Sequence, residues 1–218
     1  MEKIKVFEMF AGSCSFSNEA KKMNFKTFTT DIFQFGEIDY VVDIMNIDLK
    51  KIPFTPNVVW ASIPCETFSI SSCHHHWTPN GKPKSKECKK GIKILQRTVD
   101  IIKKIDPKYF FIENPVGLMR KQKILRQLKG IKKATICYCK YGDTRMKPTD
   151  IFTNYLSDIF SPNEWTPKEM CFNGNKKCHH QPAPRGSATG TQGLKNYFEK
   201  SKVPSQLCIE ILESIWKK

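Results

Sequence analysis

The chain has 218 residues with a formal net charge of +15 at pH 7; 39% of the residues are hydrophobic and 26% are charged. This length allows one sizeable hydrophobic core with a small appendage, and the composition excludes a disordered chain. No apolar run is long enough to cross a membrane, and the first residues lead into a strand instead of a secretion signal, which predicts a cytoplasmic protein without membrane contact.

The positive charge and the nine cysteines restrict the expected partners further. Lysine and arginine side chains that neutralise phosphates release counterions, so a nucleic acid is the first partner to expect. A lysine-rich proteome is the alternative explanation, because lysines are spread over the whole chain. Nine is an odd number, and without an export signal it favours free thiols or metal ligands over disulfides.

The N-terminal region predicts strands that lead into turns with small or acidic residues. A strand over 3–10 continues through a turn containing Gly12 into a helix. Such a turn lets a ligand approach the backbone, although one glycine is also ordinary in a strand-to-helix connection. A second strand over 26–32 contains Asp31 near its end, where a carboxylate can bind ribose hydroxyls or remain a solvated turn residue. Asp43, further on, could cap the turn that follows it.

The stretch 58–69 predicts a buried strand that ends at a cysteine. Its first residues are almost continuously apolar, as in a central parallel strand with both faces covered. Pro64 cannot donate a ladder hydrogen bond and therefore ends the strand. Cys65 then lies just beyond the carboxyl end, where open α/β sheets bind ligands. Position alone leaves two interpretations, because a free cysteine is more often a buried thiol than a nucleophile.

A second strand with a polar residue at its end follows one helix later. The histidine-rich residues 70–84 predict a mobile loop, and 86–105 predicts a helix with one apolar face. The strand over 109–112 leads into Glu113. This interval allows one crossover helix between parallel neighbours, which would bring Glu113 to the same sheet edge as Cys65. A plain strand terminus before a helix start would explain the same residues.

The remaining elements of the first two thirds are a predicted helix over 119–128 and a predicted strand over 134–141. Arg145 and Lys147 follow a turn and bring two positive charges toward the same edge of the sheet. They could equally be surface charges that touch phosphate. An amphipathic helix is predicted over 203–216.

Residues 156–194 differ in composition and predict a small irregular insert. Cys171, Cys178 and His179 lie close together around an Asn-Gly-Asn turn and could give three ligands to a tetrahedral zinc ion. A metal would help a segment too small to build its own core, whereas solvent-facing thiols are the alternative. Arg185 lies in a glycine-rich basic loop that could contact phosphate. A fourth zinc ligand could be supplied by Cys73, Cys137, Cys139 or His180.

Four motifs together resemble the DNA cytosine-5 methyltransferase family, and they occur in the family's order. They are Phe10-Ala11-Gly12, Pro64-Cys65-Glu-Thr-Phe-Ser69, Ile112-Glu113-Asn114 and Arg145-Met-Lys147. The last helix also resembles the family's closing motif. The sequence departs from the family at Cys14 and Ser15, where further glycines are usual, and at Pro115, where valine is usual.

The resemblance implies an α/β fold with a doubly wound Rossmann-like sheet of the S-adenosylmethionine-dependent methyltransferase type and a small irregular insert. The implied catalytic domain covers 1–155 plus 195–218, and 156–194 corresponds to a short target-recognition segment that could bind zinc. The implied cofactor is S-adenosylmethionine, and the implied partner is double-stranded DNA. We expect a monomer in the cytoplasm of a bacterial cell or a phage-infected host.

The resemblance also assigns roles to single residues. Cys65 would attack C6 of a cytosine flipped out of the duplex, Glu113 would assist at N3, and Arg145 would help to hold the base. The segment after Cys65 would close over that base. The implied DNA contacts are Ser69, Lys147 and Arg185. The implied cofactor contacts are Phe10, Ala11, Gly12, Ser13, Asp31, Ile32, Asp43, Ile44 and Pro64.

The expected activity is therefore transfer of a methyl group from S-adenosylmethionine to C5 of cytosine in DNA, through a covalent Cys65 adduct. An RNA cytosine-5 methyltransferase acting on tRNA would use the same chemistry. The departures at Cys14 and Ser15 leave a third interpretation, in which a degenerate methyltransferase fold serves as a non-catalytic, zinc-stabilised nucleic-acid-binding protein.

Overall fold

A computed structural model describes residues 3–182 and 196–217. None of the helices in these ranges is both long enough and apolar enough to span a membrane. The strands are β1 Lys5–Met9, β2 Lys26–Asp31, β3 Tyr40–Val41, β4 Val58–Ser62, β5 Tyr109–Pro115, β6 Lys132–Cys137 and β7 Pro148–Thr153. The α-helices are α1 Ser15–Lys22, α2 Cys73–His76, α3 Lys86–Ile105, α4 Tyr197–Ser201 and α5 Ser205–Trp216.

The seven strands form one sheet in the order β3-β2-β1-β4-β5-β7-β6. β1 to β5 run parallel, whereas β7 is antiparallel to both of its neighbours, β5 and β6. The chain winds outward from β1 in one direction and then from β4 in the other, so the carboxyl ends of the parallel strands lie along one edge. The predicted doubly wound α/β sheet is confirmed.

Both faces of the sheet are covered, as the continuous apolar strands require. On one face Phe16 of α1 stacks on Trp60 of β4, with ring centroids 4.5 Å apart, and α5 belongs to the same apolar cluster. On the other face Leu95 and Val99 of α3 are fully buried in a cluster with Phe110 of β5. This cover fixes β4 and β5 in the centre of the sheet.

Residues 119–128 do not form the predicted α-helix. Two 3-10 turns, Leu118–Lys121 and Lys123–Gln127, stand there instead, and one residue with extended backbone separates them. Arg120 Nε donates to Asp150 Oδ2 of β7 at 2.8 Å. This ion pair fastens the segment to the sheet, and a tertiary contact of this kind overrides a local helical pattern.

The strand predicted over 134–141 is displaced toward the N-terminus, because β6 ends at Cys137 and Tyr138–Tyr141 form a 3-10 turn. β7, which lies between β5 and β6, was not predicted from the sequence. Pro148 at its start and the buried carboxylate of Asp150 in its middle obscure the apolar strand pattern.

Residues 156–182 form turns and bends without a helix or strand, which agrees with an irregular insert. Trp165 within this segment is buried, and its Nε1 donates to Glu210 Oε1 of α5 at 3.0 Å. The segment therefore packs on the sheet through α5. The predicted domain division at 155/156 stays a prediction.

Candidate active site

β4 and β5 bring the two candidate catalytic motifs to the same edge of the sheet. The strands are parallel neighbours, and Ser62 is in register with Glu113. Cys65 follows Ser62 by three residues, so the thiol lies on the loop that begins beside the Glu113 carboxylate. Asn114 Nδ2 donates to the Ile63 carbonyl oxygen at 2.8 Å. This hydrogen bond joins the two strand ends.

The loop that carries Cys65 is held by hydrogen bonds on two sides. The amides of Phe68 and Ser69 donate to the Cys65 carbonyl oxygen at 3.0 and 2.9 Å and close a turn. Leu118, after β5, donates its amide to the Phe68 carbonyl oxygen at 2.7 Å. Gly117 packs so closely on this carbonyl that a Cβ there would overlap it. The Cys65 loop is thus fixed to the segment that follows β5.

The histidine-rich segment 70–84 is anchored to the Cys65 loop. Trp77 Nε1 donates to the Thr67 carbonyl oxygen at 2.6 Å. The segment contains the short helix α2, on which His74 and His75 are exposed. The loop predicted from composition therefore contains local structure that the turn-forming residues did not indicate.

The pKa of the half-buried Cys65 thiol reflects two charged neighbours. Burial raises this pKa above its usual value, the positive charge of Lys147 opposes the shift, and the negative charge of Glu113 adds to it. The geometry agrees, because Glu113 and Lys147 lie 3.8 Å apart and Glu113 is in register with Ser62, where the Cys65 loop begins. A nearby cation is useful there, because the thiolate is the nucleophilic form of cysteine.

The Glu113 carboxylate is buried and held by two side chains from beyond β6. Tyr138 Oη donates to Glu113 Oε1 at 2.8 Å, and Lys147 Nζ lies 3.8 Å from the same oxygen. Lys147 Nζ also lies 4.4 Å from the centroid of the Tyr138 ring. Lys147 has a φ of +30°, an unfavourable backbone conformation for a side-chain-bearing residue. Strain of this kind is common where a side chain must be aimed at a functional site.

Arg145 has a different partner from the one its predicted role suggests. Its Nε donates to Asp143 Oδ1 at 2.9 Å, and its Nη2 donates to the Lys202 carbonyl oxygen at 3.4 Å. Burial raises the pKa of Asp143, but the hydrogen bonds from Arg145 outweigh burial and lower it below its usual value. Arg145 and Asp143 line a cavity of 710 Å³ beside α5. The cation that pairs with Glu113 is therefore Lys147.

The turn after β1 is shaped for close approach to its backbone. Phe10, Gly12 and Cys14 all have positive φ, at 55°, 48° and 54°. The Gly12 amide donates to Asp31 Oδ2 at 2.9 Å, so the carboxylate at the end of β2 braces the turn. A Cβ on Gly12 would lie 2.8 Å from Ser201 Oγ, which explains why glycine is needed there although its neighbours carry side chains.

The predicted cofactor residues along this edge differ in exposure. Ile32 is 49% exposed and Pro64 is exposed, whereas Ala11 and Ile44 are buried and Ser13 is half-buried. Asp43 Oδ1 accepts from the Met45 amide at 2.9 Å, which is the turn-capping contact that the sequence allowed. An exposed apolar side chain at Ile32 beside the Asp31 carboxylate fits an adenosyl group, which presents a flat base and ribose hydroxyls.

A cluster of sulfur and imidazole groups lies beyond β6. The ligand atoms of Cys139, Cys171, Cys178 and His180 all lie within 4.8 Å of one another. His179, the histidine predicted as a ligand, is exposed and stands outside the cluster. The next residue, His180, is buried and belongs to the cluster instead.

The predicted DNA contacts differ in exposure. Ser69 is half-buried, Lys147 is buried and Arg185 lies outside the described residues.

Tyr138 is a member of this site that the sequence analysis missed. It lies in the residues predicted as a strand, and no role was predicted for it; in the structure it begins the 3-10 turn after β6. Its position directly after the end of β6 is the signal that could have identified it, because strand ends carry ligand-binding residues in this sheet type.

Many solved structures resemble this fold, including the two that follow. An Escherichia coli prophage protein described as a DNA modification methyltransferase matches with a TM-score of 0.54 and 15% identity, covering 78% of this chain and 52% of that chain. A methyltransferase of Entamoeba histolytica matches with a TM-score of 0.51 and 17% identity, covering 70% of this chain and 53% of that chain. The chain therefore spans about half the length of these structures, and the likeness shows a shared fold.

Sequence comparison identifies the family. The model of the family described as C-5 cytosine-specific DNA methylase matches residues 4–136, which include both Cys65 and Glu113. A Frog virus 3 (isolate Goorha) protein named "Probable DNA (cytosine-5)-methyltransferase" is 27% identical over 225 residues, covering 96% of this chain and 99% of that protein. The chain belongs to the C-5 cytosine-specific DNA methylases, a family of enzymes.

Proposed function

We propose that this chain transfers a methyl group from S-adenosylmethionine to C5 of cytosine in double-stranded DNA, through a covalent bond between Cys65 and C6. The observation that carries the proposal is the arrangement around one sheet edge: Glu113 is paired with Lys147 and is in register with Ser62, three residues before Cys65. A nucleophile, a carboxyl group and a cation are the groups that this reaction needs.

The thiol is needed because C5 of cytosine is a poor nucleophile while the ring is aromatic. Attack of the Cys65 thiolate at C6 forms a C–S bond and moves an electron pair toward C5. The electron pair at C5 would then form a bond to the methyl group, whose bond to the sulfonium sulfur of S-adenosylmethionine breaks and leaves a neutral thioether. Loss of the C5 proton to a base would return the electron pair to the ring. The C–S bond breaks in this last step and releases Cys65 as the thiolate.

Glu113 would hold a proton at N3 of the cytosine, which stabilises the electron density that the attack pushes into the ring. Tyr138 and Lys147 fix the carboxyl group for this task, since both contact Glu113 Oε1. Arg145 would act one step further out, because Asp143 already accepts its guanidinium hydrogen bonds. To hold the base as predicted, the Arg145 guanidinium would have to contact the base while it keeps its hydrogen bonds to Asp143.

S-adenosylmethionine would supply an electrophilic methyl group at the adjacent strand ends. The Gly12 turn would approach it with backbone atoms, Asp31 would accept ribose hydroxyls, and Ile32 would cover the adenine. Both oxygens of Asp31 accept backbone amides, from Gly12 and from Phe33, which fixes the carboxylate and leaves lone pairs for a ligand.

DNA is the proposed substrate because the net charge of +15 favours phosphate binding and because the family is described by its action on DNA. The target atoms are covered in a stacked duplex, so the cytosine would be flipped into the site. Ser69 and Lys147 would contact the DNA, and the segment 156–194 would contact the target sequence. We propose that the chain acts as a monomer in the cytoplasm.

The proposal is tested by incubating the full chain and S-adenosylmethionine with duplex DNA and, separately, with tRNA. The nucleosides are then analysed for 5-methylcytosine by mass spectrometry. We expect product in DNA, none with Cys65→Ser, and undiminished product with Cys73→Ser, a half-buried cysteine on α2 that serves as the matched control. 5-Methylcytosine in tRNA but not in DNA would show that the substrate is RNA and would overturn the proposed DNA substrate. Product from Cys65→Ser would overturn the covalent mechanism.

A further inference from the structure

We propose that Cys139, Cys171, Cys178 and His180 bind one structural zinc ion. Their four ligand atoms lie within 4.8 Å of one another. Three thiolates and one imidazole form a common donor set of structural zinc sites, which use four protein ligands and leave no open position. This site is separate from the methyl-transfer site and does not depend on the proposed function.

The separations between ligand atoms fit a single tetrahedral ion. Zinc–sulfur bonds of about 2.3 Å and zinc–nitrogen bonds of about 2.0–2.1 Å place ligand atoms roughly 3.5–3.8 Å apart in a tetrahedron. Cys171 Sγ lies 3.6 Å from His180 Nδ1. The other ligand atoms lie at most 4.8 Å apart, so movements of about 1 Å would bring all four to tetrahedral separations.

The backbone gives the ligands their positions from two parts of the chain. Cys139 lies in the 3-10 turn after β6, and the other three ligands lie on one tight loop. That loop reverses at Gly174, whose φ is +81°, and the Cys178 amide donates to the Asn175 carbonyl oxygen at 3.0 Å. The turn brings Cys171 and Cys178 together although six residues separate them.

An outer contact supports the same assignment. Asn175 Nδ2 lies 3.5 Å from Cys171 Sγ, with the amide as donor. Donors to a thiolate orient the ligand and stabilise its charge, and such partners are a regular feature of metal sites. Cys137, which is also buried nearby, contacts the Cys171 carbonyl oxygen at 3.5 Å and is not a member of the cluster. The cluster thus selects particular cysteines from a cysteine-rich region.

Simple burial of thiols in a core does not explain this arrangement. Residues 156–182 contain no helix or strand, and a segment of this kind gains stability from a metal ion more than from its own core. His180 is only 8% exposed, and its Nδ1 lies 3.6 Å from Cys171 Sγ, so the imidazole is buried beside sulfur atoms. Zinc satisfies the three thiolates and the imidazole at once.

The proposed ion would also fasten the insert to the methyl-transfer site. Cys139 directly follows Tyr138, the residue that donates to Glu113, and the Gln181 amide donates to the Thr144 carbonyl oxygen at 2.8 Å. Zinc would therefore hold both the turn that carries Tyr138 and the loop that leads to Lys147. This consequence for catalysis, unlike the metal site itself, rests on the proposed function.

The experiment measures the metal content of the full chain purified without chelator, by plasma mass spectrometry. We expect one zinc ion per chain in the unsubstituted protein and in His179→Ala, and a loss of most of the zinc in His180→Ala. These adjacent histidines are a matched pair, because one is exposed and the other is buried in the cluster. Asn175→Ala should still bind zinc, but a chelator titration should show that its affinity for zinc is about tenfold weaker than that of the unsubstituted protein.

A spectroscopic measurement on the unsubstituted protein covers the case in which His180→Ala fails to fold. X-ray absorption at the zinc edge should give three sulfur neighbours at about 2.3 Å and one nitrogen neighbour at about 2.0–2.1 Å. A metal-free chain that does not take up added Zn²⁺ or Co²⁺ would overturn the proposal. Equal zinc loss from the two histidine variants, or a disulfide among the three cysteines, would do the same.

Discussion

Lys147 Nζ lies 3.8 Å from Glu113 Oε1, and the same ammonium group opposes the upward shift that burial gives the pKa of Cys65. One cation therefore interacts with both the proposed nucleophile and the proposed proton-holding carboxyl group. The sequence analysis placed Lys147 in the basic motif Arg145-Met-Lys147 and predicted a DNA contact for it. Its strained backbone, with φ at +30°, is consistent with a side chain that the fold aims at this site.

Replacement of Lys147 by methionine tests this relationship. Without the positive charge, the pKa of Cys65 should rise further, so less thiolate is present at neutral pH and the rising limb of the pH–rate profile should move to higher pH. Lys147→Arg keeps the charge and should restore most of the profile. The measurement is the single-turnover rate of methyl transfer against pH. A profile that falls uniformly without shifting would show that Lys147 does not act on the thiol.

Replacement of Tyr138 by phenylalanine removes the hydroxyl that donates to Glu113 while keeping the ring over which Lys147 lies. The buried carboxylate loses a hydrogen bond, which should lower the free energy of unfolding by about 1–3 kcal/mol. The methyl-transfer rate should fall roughly tenfold, because Glu113 is no longer held in position. The measurements are urea unfolding and the single-turnover rate.

Tyr141→Phe is the control for that variant. The Tyr141 hydroxyl accepts from the Lys168 amide at 2.9 Å, away from Glu113. We expect this variant to lose stability and keep its rate. Equal loss of rate in the two tyrosine variants would indicate a general effect on the 3-10 turn instead of a specific contact with Glu113.

Gly117→Ala should disturb the position of Cys65 without touching it. The new Cβ would overlap the carbonyl oxygen of Phe68, so the Cys65 loop must move away from the strand end that carries Glu113. We expect a large loss of turnover with S-adenosylmethionine binding unchanged in calorimetry. Gly81→Asn is the control, because Gly81 has open space around it and asparagine tolerates its φ of +71°. Weakened cofactor binding by Gly117→Ala would point to unfolding instead.

Glu8 makes stability depend on pH in a direction that can be tested. Burial raises the pKa of its carboxyl group to about 7, although the amides of Ser17 and Phe16 donate to it and partly offset the shift. A raised carboxyl pKa gives stability that is fully present below about pH 4.5 and is lost as the pH rises through 7. The loss for this one group is at most about 3 kcal/mol.

Glu8→Gln should remove most of that pH dependence between pH 5 and 8, as measured by urea unfolding at a series of pH values. Glu37→Gln replaces a carboxylate whose side chain is 92% exposed and should leave the slope unchanged. If Glu8→Gln retains the full slope, the dependence arises from other groups.

The sequence predicted the central part of the fold because its signals there are local. The apolar run before Pro64 and the long amphipathic pattern over 86–105 each correspond to an observed element, β4 and α3. The same reasoning failed at 119–128, where the contact between Arg120 and Asp150 holds two 3-10 turns against β7. Partners distant in sequence decide such a segment, and periodicity carries no information about them.

The candidate site was predictable to the extent that it lies at strand ends. Cys65 and Glu113 each follow an apolar run, so topology alone brings them to one edge. Tyr138 and His180 could not be ranked above their neighbours, because the choice depends on which side chain the backbone turns inward. For the adjacent pair His179 and His180 the sequence contains no signal that separates them, and only the fold of the loop does.

The covalent bond to Cys65 is tested most directly with duplex DNA that contains 5-fluorocytosine in place of the target cytosine. Fluorine at C5 cannot leave as a proton, so the last elimination is blocked and the enzyme stays attached to C6. With S-adenosylmethionine present, we predict a stable protein–DNA complex whose cross-linked peptide contains Cys65, and no complex with Cys65→Ser. A chain that methylates ordinary DNA but forms no complex, or forms it through another residue, would contradict the account.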